Sequence, residues 1–371
     1  MNEDIVVSVC IPVYNQISMV RECISKILEL NSSKFEIVVS DDCSSQPVEE
    51  MLLEINDQRI KYYRNMENLG HDRNILAAFS HAQAKYAFLL RTRDFILPEG
   101  LEKIIELLEN KNHDVAYLTT NAYDSNNIPK LVYKNQIYNK GAEALLAHQK
   151  LYIHPSGSIY NISMLNIKEI QEYINCIGAT KRNFTVHSLI RLALSMKGDF
   201  ETYDFYSWIY ADTNEARDIA TNRGNFKESV YDTIYQIERY NTEMRWAQKI
   251  MPEQFKMQQY AFLFSFYLNA TTWNNKLIYK NKNMGYHYNF SIKKINCKKE
   301  RAIFLNDVSQ IENELNITEA KYYDTKRKAL LYNRTFGVIK YSIERIKAVI
   351  PFKRMLKFIL FGGKINLRRP F

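Results

Sequence analysis

The first 90 residues alternate between short apolar runs and stretches of helical spacing, and this alternation constrains the fold more than any other feature. The apolar runs, which we interpret as strands, lie at residues 6–13, 35–40, 60–65 and 85–90. The helical patterns between them lie near residues 18–30, 47–56 and 71–83. This order predicts an α/β fold with a parallel sheet and right-handed crossovers, whose ligands bind beyond the carboxyl ends of the strands.

The remaining sequence predicts a less regular second part. Residues 113–120 have the pattern of a further strand, residues 121–139 are polar and rich in turn formers, and residues 225–275 return to helical spacing. A chain of 371 residues is long enough for two domains. We predict an α/β domain at residues 1–210, a helical C-terminal region at 211–324 and a basic amphipathic tail at 325–371.

Cysteine content and apolar content indicate the compartment. The five cysteines include no CxxC pair, which argues against a disulfide framework and against structural zinc. The start MNEDIVVSV carries early acids, unlike a signal peptide, and no apolar stretch reaches the ~18 residues of a membrane span. The sequence therefore predicts a cytoplasmic protein.

The positive charge of the chain is concentrated at its C-terminus. Residues 321–371 carry 14 basic and 2 acidic residues, a net charge of +12, whereas the whole chain has a net charge of +9. Ile339, Ile343, Ile346 and Ile350 recur at helical spacing between basic residues. An apolar stripe with basic flanks favours an anionic membrane surface, while a packed helix with a solvated basic face is the alternative. No nucleic-acid recognition module is evident, so we expect no nucleic-acid partner.

Four segments follow the first, second, third and fourth predicted strands in order. They are VSVCIPVYNQ (7–16), IVVSDDCSS (37–45), NLGHDRN (68–74) and YAFLLRTRDFILPEGL (86–101). Together they resemble the family 2 glycosyltransferases of the GT-A fold, over roughly residues 5–210. The resemblance implies a Rossmann-like domain that binds a nucleotide-sugar, with a UDP-sugar as the first choice of donor.

The resemblance and the residue chemistry assign the same nucleotide-sugar site. Aspartates can accept hydrogen bonds from a base or a ribose, a glycine lets the backbone approach a ligand closely, and arginine can meet a phosphate. The predicted donor-binding residues are Pro12, Tyr14, Asn15, Asp41, Asp42, Asn68, Gly70, Arg73, Thr92, Arg93 and Asp94.

The segment Arg91-Thr92-Arg93-Asp94 departs from the family pattern. The resemblance implies a DxD motif whose carboxylates hold Mg²⁺ or Mn²⁺ on the diphosphate. Here Thr92 replaces the first carboxylate and only Asp94 remains, as the one candidate metal ligand and a candidate catalytic residue. Two neighbouring arginines would repel a cation but could neutralise a diphosphate. We therefore predict weak or absent dependence on a divalent metal.

The catalytic base is expected further along the chain. HPSGSIYN (154–161) resembles an acceptor-side loop, and FTVHSLIRLALSMKG (184–198) resembles a helix that in relatives often begins with a His-Asp or Glu-Asp pair. His187 is followed here by a serine, so the carboxylate is missing. His187 is the candidate base because imidazole titrates near neutrality. A histidine at the edge of the core is the alternative interpretation, and Asp199, Glu201 and Asp204 remain unranked candidates for the base.

These features predict a glycosyltransferase that uses a nucleoside-diphosphate sugar and inverts the anomeric centre. The acceptor would be a glycan, expected to be lipid-linked, in the synthesis of capsule, cell wall or another surface polysaccharide. The enzyme would lie peripherally on the inner face of the cell membrane. The alternative is a catalytically degenerate domain that binds nucleotide or a partner enzyme.

Overall fold

The computed structural model describes residues 4–180, 183–211, 232–274 and 295–335. The described residues divide into two compact units. The first unit contains residues up to 211 together with residues 238–256, and the second contains residues 232–237 and the residues from 257 onwards.

One sheet of ten strands forms the centre of the first unit. In chain order the strands are β1 Val7–Val13, β2 Phe35–Asp41, β3 Ile60–Arg64, β4 Tyr86–Leu89, β5 Phe95–Ile96, β6 Val115–Asp124, β7 Pro129–Leu131, β8 Gln136–Tyr138, β9 Ser158–Asn161 and β10 Asp199–Tyr210. β1 pairs in parallel with β2 and β4, and β2 pairs in parallel with β3. The predicted parallel arrangement of the first four strands is therefore confirmed.

The second half of the sheet is mixed rather than parallel. β9 lies between β4 and β6 and is antiparallel to both, and β5 and β8 are antiparallel to β10. The sequence did not indicate these strands, because segments of two to four residues are too short to show a period. The polar stretch rich in turn formers, 121–139, contains the end of β6 together with β7 and β8.

Helices of the first unit cover the sheet with amphipathic faces. They are α1 Ile17–Leu28, α2 Val48–Ile55, α3 His71–His81, α4 Pro98–Glu109, α5 Ala142–Lys150, α6 Ile167–Cys176 and α7 Val186–Ser195. α1 buries Val20, Cys23, Ile24 and Ile27, the spacing of one helix face. The parallel strands end at one edge of the sheet, where the loops after β1, β2, β3 and β4 meet.

Helices build the described part of the second unit. α8 Thr233–Ile250 and α9 Glu253–Asn269 each contribute residues to both units, α9 continues into a π-helical turn at Ala270–Asn274, and α10 Cys297–Glu314 and α11 Ala320–Arg334 follow. Asn333 of α11 donates to Asn269 Oδ1 and to Thr272 Oγ1, each at 2.9 Å. These contacts fasten α11 to the end of α9.

Most of the predicted basic tail, residues 336–371 with its isoleucine stripe, lies outside the described residues. Among the helices that the structure describes, none combines the length and the apolar character needed to cross a bilayer.

Candidate active site

Asn15 joins the loop after β1 to the loop after β2. Its backbone N–H donates to Ser44 Oγ at 2.7 Å, and its Oδ1 accepts from the N–H groups of Ser45 at 2.9 Å and Gln46 at 3.3 Å. Asn15 and Gln16 both have left-handed backbones, with φ of 59° and 64°. Strain of this kind persists only where surrounding contacts enforce it. Asn15 therefore stabilises the site by connecting the loop after β1 to the loop after β2.

Asp41, at the end of β2, is fully buried and fully paired within the protein. Its Oδ1 accepts from the Ser44 N–H at 2.9 Å, and its Oδ2 accepts from Tyr62 Oη at 2.8 Å and Arg64 Nη1 at 2.7 Å. Burial, followed by the hydrogen bond to Asp41, raises the pKa of Tyr62 to about 12. The Asp41 carboxylate therefore stabilises the conformation of the loop after β2.

Asp42 holds the loop between β3 and α3. Its Oδ1 accepts from Asn65 Nδ2 at 3.1 Å and from the Leu69 N–H at 2.6 Å, while its Oδ2 accepts from the Gly70 N–H at 2.9 Å. Gly70 has a φ of 85°, which favours glycine. Asp42 and Gly70 therefore lie together, as the motif predicts, and Asn68 lies half-buried in the loop between them.

The accessible side of this edge carries the remaining predicted residues of the first loop. Pro12 is half-buried at the end of β1, and the Tyr14 side chain beside it is exposed. An exposed aromatic ring next to a half-buried proline offers an apolar surface to a base.

Arg73 is not part of this group. Its Nε donates to Asn175 Oδ1 at 2.8 Å, and its Nη atoms donate to the carbonyl of Ala179 at 3.2 Å, beyond the end of α6. The next residue, Asn74, does face the site. It is buried, accepts from Ser40 Oγ at 2.7 Å and donates to the Val13 carbonyl at 3.3 Å.

The segment after β4 forms a closed hydrogen-bonded cluster around Asp94, which is fully buried. Asp94 Oδ2 accepts from Arg91 Nε at 2.7 Å and from Ser156 Oγ at 2.5 Å, and Oδ1 accepts from Arg91 Nη2 at 3.1 Å and the Ala211 N–H at 3.2 Å. Burial opposes the charge of Arg91, but attraction to Asp94 nevertheless raises the Arg91 pKa. Thr92 turns away from Asp94 and donates to Gln16 Oε1 at 2.7 Å.

These contacts do not fit a divalent cation at Asp94. A cation would need oxygen lone pairs that already accept from Arg91, Ser156 and a backbone N–H, and it would meet the guanidinium group directly. Thr92 adds no second carboxylate, and its hydroxyl hydrogen is donated to Gln16.

Two arginines donate to the loop before β9, which contains His154. The Arg91 N–H donates to Ser156 Oγ and Arg191 Nη1 donates to the Ile153 carbonyl, each at 3.1 Å. His154 is 4% exposed, and its ring stacks on Trp208 with centroids 5.3 Å apart. Burial, followed by the charges of Arg91, Arg93 and Arg191, holds the His154 pKa well below its usual range. The Asp94 carboxylate is paired with Arg91.

His187 lies buried in the first turn of α7. Burial lowers its pKa well below the usual range, and the charges of His71 and Arg191 lower it further. Its ring meets the His71 ring edge-on at 5.3 Å, and its Nδ1 has no hydrogen-bond partner within the described residues. His187 is therefore a buried imidazole at the start of α7, and its role as the base stays a prediction.

The acidic alternatives for the base lie elsewhere. Asp199 and Glu201 start β10, which runs parallel to β6, so they lie at the opposite edge of the sheet. Glu201 pairs there with Lys111, and with His113 at 3.0 Å. Asp204 lies exposed in the middle of β10.

Sequence reasoning missed Arg191 and Ser156. Arg191 follows His187 by four residues on α7, and this spacing alone would have placed both on one helix face. Arg191 also donates to the Ile153 carbonyl at 3.1 Å. Ser156 belongs to the acceptor-side loop resemblance, but no local pattern indicates a bond to Asp94, 62 residues earlier.

Part of this chain is similar to curated glycosyltransferases. Among curated proteins the chain is similar to abequosyltransferase RfbV of Salmonella typhimurium, with 34% identity over 112 residues, which is 28% of this chain and 33% of that protein. It is also similar to UDP-Glc:alpha-D-GlcNAc-diphosphoundecaprenol beta-1,3-glucosyltransferase WfgD of Escherichia coli, with 29% identity over 140 residues, 37% of this chain and 55% of that protein. The matched part thus spans between about a third and about half of these relatives.

Two solved structures align with most of the chain at low similarity. TarS 1–349 of S. aureus in complex with UDP-GlcNAc aligns with a TM-score of 0.47 and 13% identity, covering 84% of this chain and 92% of that chain. Mannosyltransferase PcManGT from Pyrobaculum calidifontis, in complex with GDP-Man and Mn²⁺, aligns with a TM-score of 0.43 and 13% identity, covering 89% and 87%. Likeness at this level does not extend to individual residues.

The match to a family model covers the loops described above. Residues 8–166 match the family described as Glycosyl transferase family 2. This range begins within β1 and continues past β9, so it includes the loops after β1, β2, β3 and β4 and the loop that carries His154 and Ser156. This chain is therefore similar to glycosyl transferase family 2 over residues 8–166.

Proposed function

We propose that this chain transfers a sugar from a nucleoside-diphosphate sugar to a glycan acceptor in the synthesis of a surface polysaccharide. Similarity to this family supports the reaction class. The name of WfgD specifies a UDP-glucose donor and an acceptor linked to diphosphoundecaprenol, which supports a UDP-sugar donor and a lipid-linked acceptor here. Capsule and cell wall are the natural destinations of such a glycan.

One observation carries the proposal: Arg91 and Arg191 both donate to the loop that contains His154, each at 3.1 Å, and Arg93 belongs to the same segment after β4 as Arg91. A diphosphate is the multiply charged group of the donor, and guanidinium groups recognise phosphate oxygens with two parallel hydrogen bonds. Asp94 neutralises part of the charge of Arg91 and fixes its orientation. The donor would thus be held by arginines, with weak or absent dependence on Mg²⁺ or Mn²⁺.

The chemistry follows from this placement of charge. The acceptor hydroxyl oxygen forms a bond to the anomeric carbon, and the bond from that carbon to the diphosphate oxygen breaks. The nucleoside diphosphate leaves with the electron pair, and the arginines stabilise the charge that develops on it. Attack from the face opposite the leaving group inverts the anomeric centre. A base accepts the acceptor proton, and His187 is the base that the sequence suggested.

The test is donor hydrolysis and UDP binding by the purified chain. UDP-glucose, UDP-N-acetylglucosamine and GDP-mannose would be incubated with the chain in EDTA and in Mn²⁺, and UDP affinity would be measured by calorimetry. We expect turnover of at least one donor in EDTA. Asp42→Ala should weaken UDP binding by about 1–3 kcal/mol, because the Leu69 and Gly70 N–H groups lose their acceptor. Lack of both turnover and UDP binding would refute the proposal.

A non-catalytic nucleotide-binding or partner-binding domain is the second candidate. The observation that favours it is the internal pairing of Asp41, Asp42 and Asp94, which directs all three carboxylates to protein donors. UDP binding without turnover of any donor, in EDTA or in Mn²⁺, would support this candidate.

We further propose that residues 325–371 attach the enzyme peripherally to the inner face of the membrane. The net charge of +12 over residues 321–371 supports this role, since each basic residue near an anionic surface contributes about 1 kcal/mol. A lipid-linked acceptor would lie in the same plane, so attachment would confine the search for it to two dimensions.

A further inference from the structure

We propose that His71, oriented by Asp72, accepts the proton of the acceptor hydroxyl. This inference rests on the proposed transferase function and names a residue for it that the sequence did not single out. His71 and Asp72 form the first turn of α3, and His71 Nδ1 lies 2.8 Å from Asp72 Oδ1. A carboxylate at Nδ1 favours the tautomer with Nδ1–H, which leaves the lone pair on Nε2.

Asp72 is held in place by a second helix. Its Oδ2 accepts from the N–H groups of Thr185 at 2.7 Å and Val186 at 3.1 Å, where α7 begins. Asp72 is only 5% exposed. The chain has no carboxylate directly after His187, yet Asp72 brings one to the same helical turn from 113 residues earlier. The two helices together fix the direction of the Asp72–His71 hydrogen bond.

The His71 ring is held by two other rings. Phe184 lies with its centroid 4.6 Å from the His71 centroid, and His187 meets it edge-on at 5.3 Å. Phe184 has a φ of 56°, a left-handed conformation that a bulky residue rarely adopts. Strain of this kind is common where a structure must position a functional group. The His71 side chain nevertheless keeps 18% of its surface accessible.

The charged and titratable groups around the His71 ring come from three helices. They are Asp72 on α3, His187 on α7, and Arg239 on α8, whose guanidinium lies over Phe184 at 5.4 Å. Burial lowers the His187 pKa, and the charges of Arg191 and Arg91, two arginines assigned to the diphosphate, lower it further. His71 contacts this His187 ring at the start of α7.

The proton transfer balances with the proposed reaction. As the acceptor oxygen bonds to the anomeric carbon, its proton moves to His71 Nε2, and the imidazolium that forms is stabilised by the Asp72 carboxylate. The diphosphate leaves with the electron pair of the broken bond. His71 later releases the proton to water. Asp72 is a positioning residue in this scheme, because it acts through His71.

Asp72→Asn is the sharpest test, because its oxygen can still accept from Thr185 and Val186 while its amide forces the wrong tautomer on His71. With UDP-glucose, UDP-N-acetylglucosamine or GDP-mannose as probe, we expect a fall in kcat of about 100-fold or more, with donor affinity within about threefold of wild type. In the His71→Ala variant, the decrease of the rate at acidic pH should disappear from the pH–rate profile. Added imidazole should restore part of the rate of this variant. His113→Asn is the matched control, since His113 pairs with a carboxylate at the opposite edge of the sheet.

The outcomes separate this inference from the proposed function. A wild-type chain that neither binds UDP nor turns over a donor would overturn both. Wild-type turnover that survives Asp72→Asn and His71→Ala within about threefold would overturn only the role of His71. Loss of the acidic limb in His187→Asn but not in His71→Ala would do the same and would assign the base to His187.

Discussion

Replacement of Asp94 by asparagine separates an arginine-based donor site from a metal-based one. Asp94 is fully buried and accepts two hydrogen bonds from Arg91, one from Ser156 and one from the Ala211 N–H. Removal of one partner of a buried ion pair costs about 3–5 kcal/mol. Because the Arg91 side chain keeps 21% of its surface exposed, water can solvate part of its charge. We therefore expect a loss of about 2–4 kcal/mol in the free energy of unfolding.

The same substitution should leave UDP affinity unchanged or raise it. In the proposed site, Asp94→Asn releases Arg91 from its ion pair and makes its full charge available to the diphosphate. In a metal site, the substitution would instead remove the one carboxylate that could hold the cation. Chemical denaturation would measure stability, and calorimetry with UDP in EDTA and in Mn²⁺ would measure affinity.

Asp57→Asn provides the matched control for this experiment. Asp57 also pairs with an arginine, Arg59 at 2.8 Å, but both side chains keep about a fifth of their surface exposed. We expect a loss below about 1 kcal/mol and no change in UDP affinity. The reasoning would be refuted if wild-type binding of UDP vanished in EDTA and returned in Mn²⁺, or if Asp94→Asn weakened binding more than about tenfold.

Four further predictions concern other parts of the molecule. Gly157→Ala should lower the free energy of unfolding by about 2–4 kcal/mol, because the φ of Gly157 is +76° and an added Cβ would lie 2.0 Å from Trp208 Nε1. An unchanged urea concentration at the midpoint of unfolding would contradict this. Burial, followed by the charge of Arg191, lowers the pKa of His148 to about 3. Between about pH 6.5 and pH 3, His148 therefore binds a proton only in the unfolded state. The free energy of unfolding should fall by about 1.4 kcal/mol for each unit by which the pH decreases in this range. His148→Asn should reduce that slope in unfolding measured from pH 7 to pH 4. Arg93→Asp should raise affinity for Mn²⁺ in a titration, and equal affinity would show that the arginine does not oppose the cation. Truncation after residue 335 should abolish salt-sensitive sedimentation with anionic liposomes, and equal sedimentation of both chains would rule out attachment through residues 336–371.

Features that a few neighbouring residues encode could be predicted from the sequence. β1 and β2 are each seven residues long, and β1 is apolar except for Ser8 while β2 has an apolar centre at Ile37–Val39. These apolar runs predicted two buried strands of a parallel sheet. Asp42 and Gly70 each follow a predicted strand, and the structure brings them together. Local motifs succeed here because adjacent parallel strands place their carboxyl ends at the same edge.

Contacts between distant segments could not be predicted. The motif around Arg73 suggests a phosphate ligand, yet its guanidinium group donates to Asn175 at the end of α6 and to the Ala179 carbonyl, more than 100 residues later in the chain. The partners of Asp94 include Ser156 and Ala211, which follow it by 62 and 117 residues. The periodicity of the sequence does not predict these hydrogen bonds, because they depend on how the strands of the mixed half of the sheet pack together.

The hydrogen bond between Asp72 and the start of α7 also has a consequence for the order in which the chain folds. The loops after β1, β2 and β3 close over short sequence separations, as between Asn15 and Ser44, 29 residues apart. The Thr185 N–H at the start of α7 can bond to Asp72 only when the 113 residues between them have closed into a loop. Such contacts form late, because loop closure costs conformational entropy before the native contacts stabilise the chain. During synthesis the nucleotide-binding edge can therefore assemble well before α7 leaves the ribosome. The Asp72–His71 pair acquires its fixed orientation only in this last stage, when α7 packs against α3.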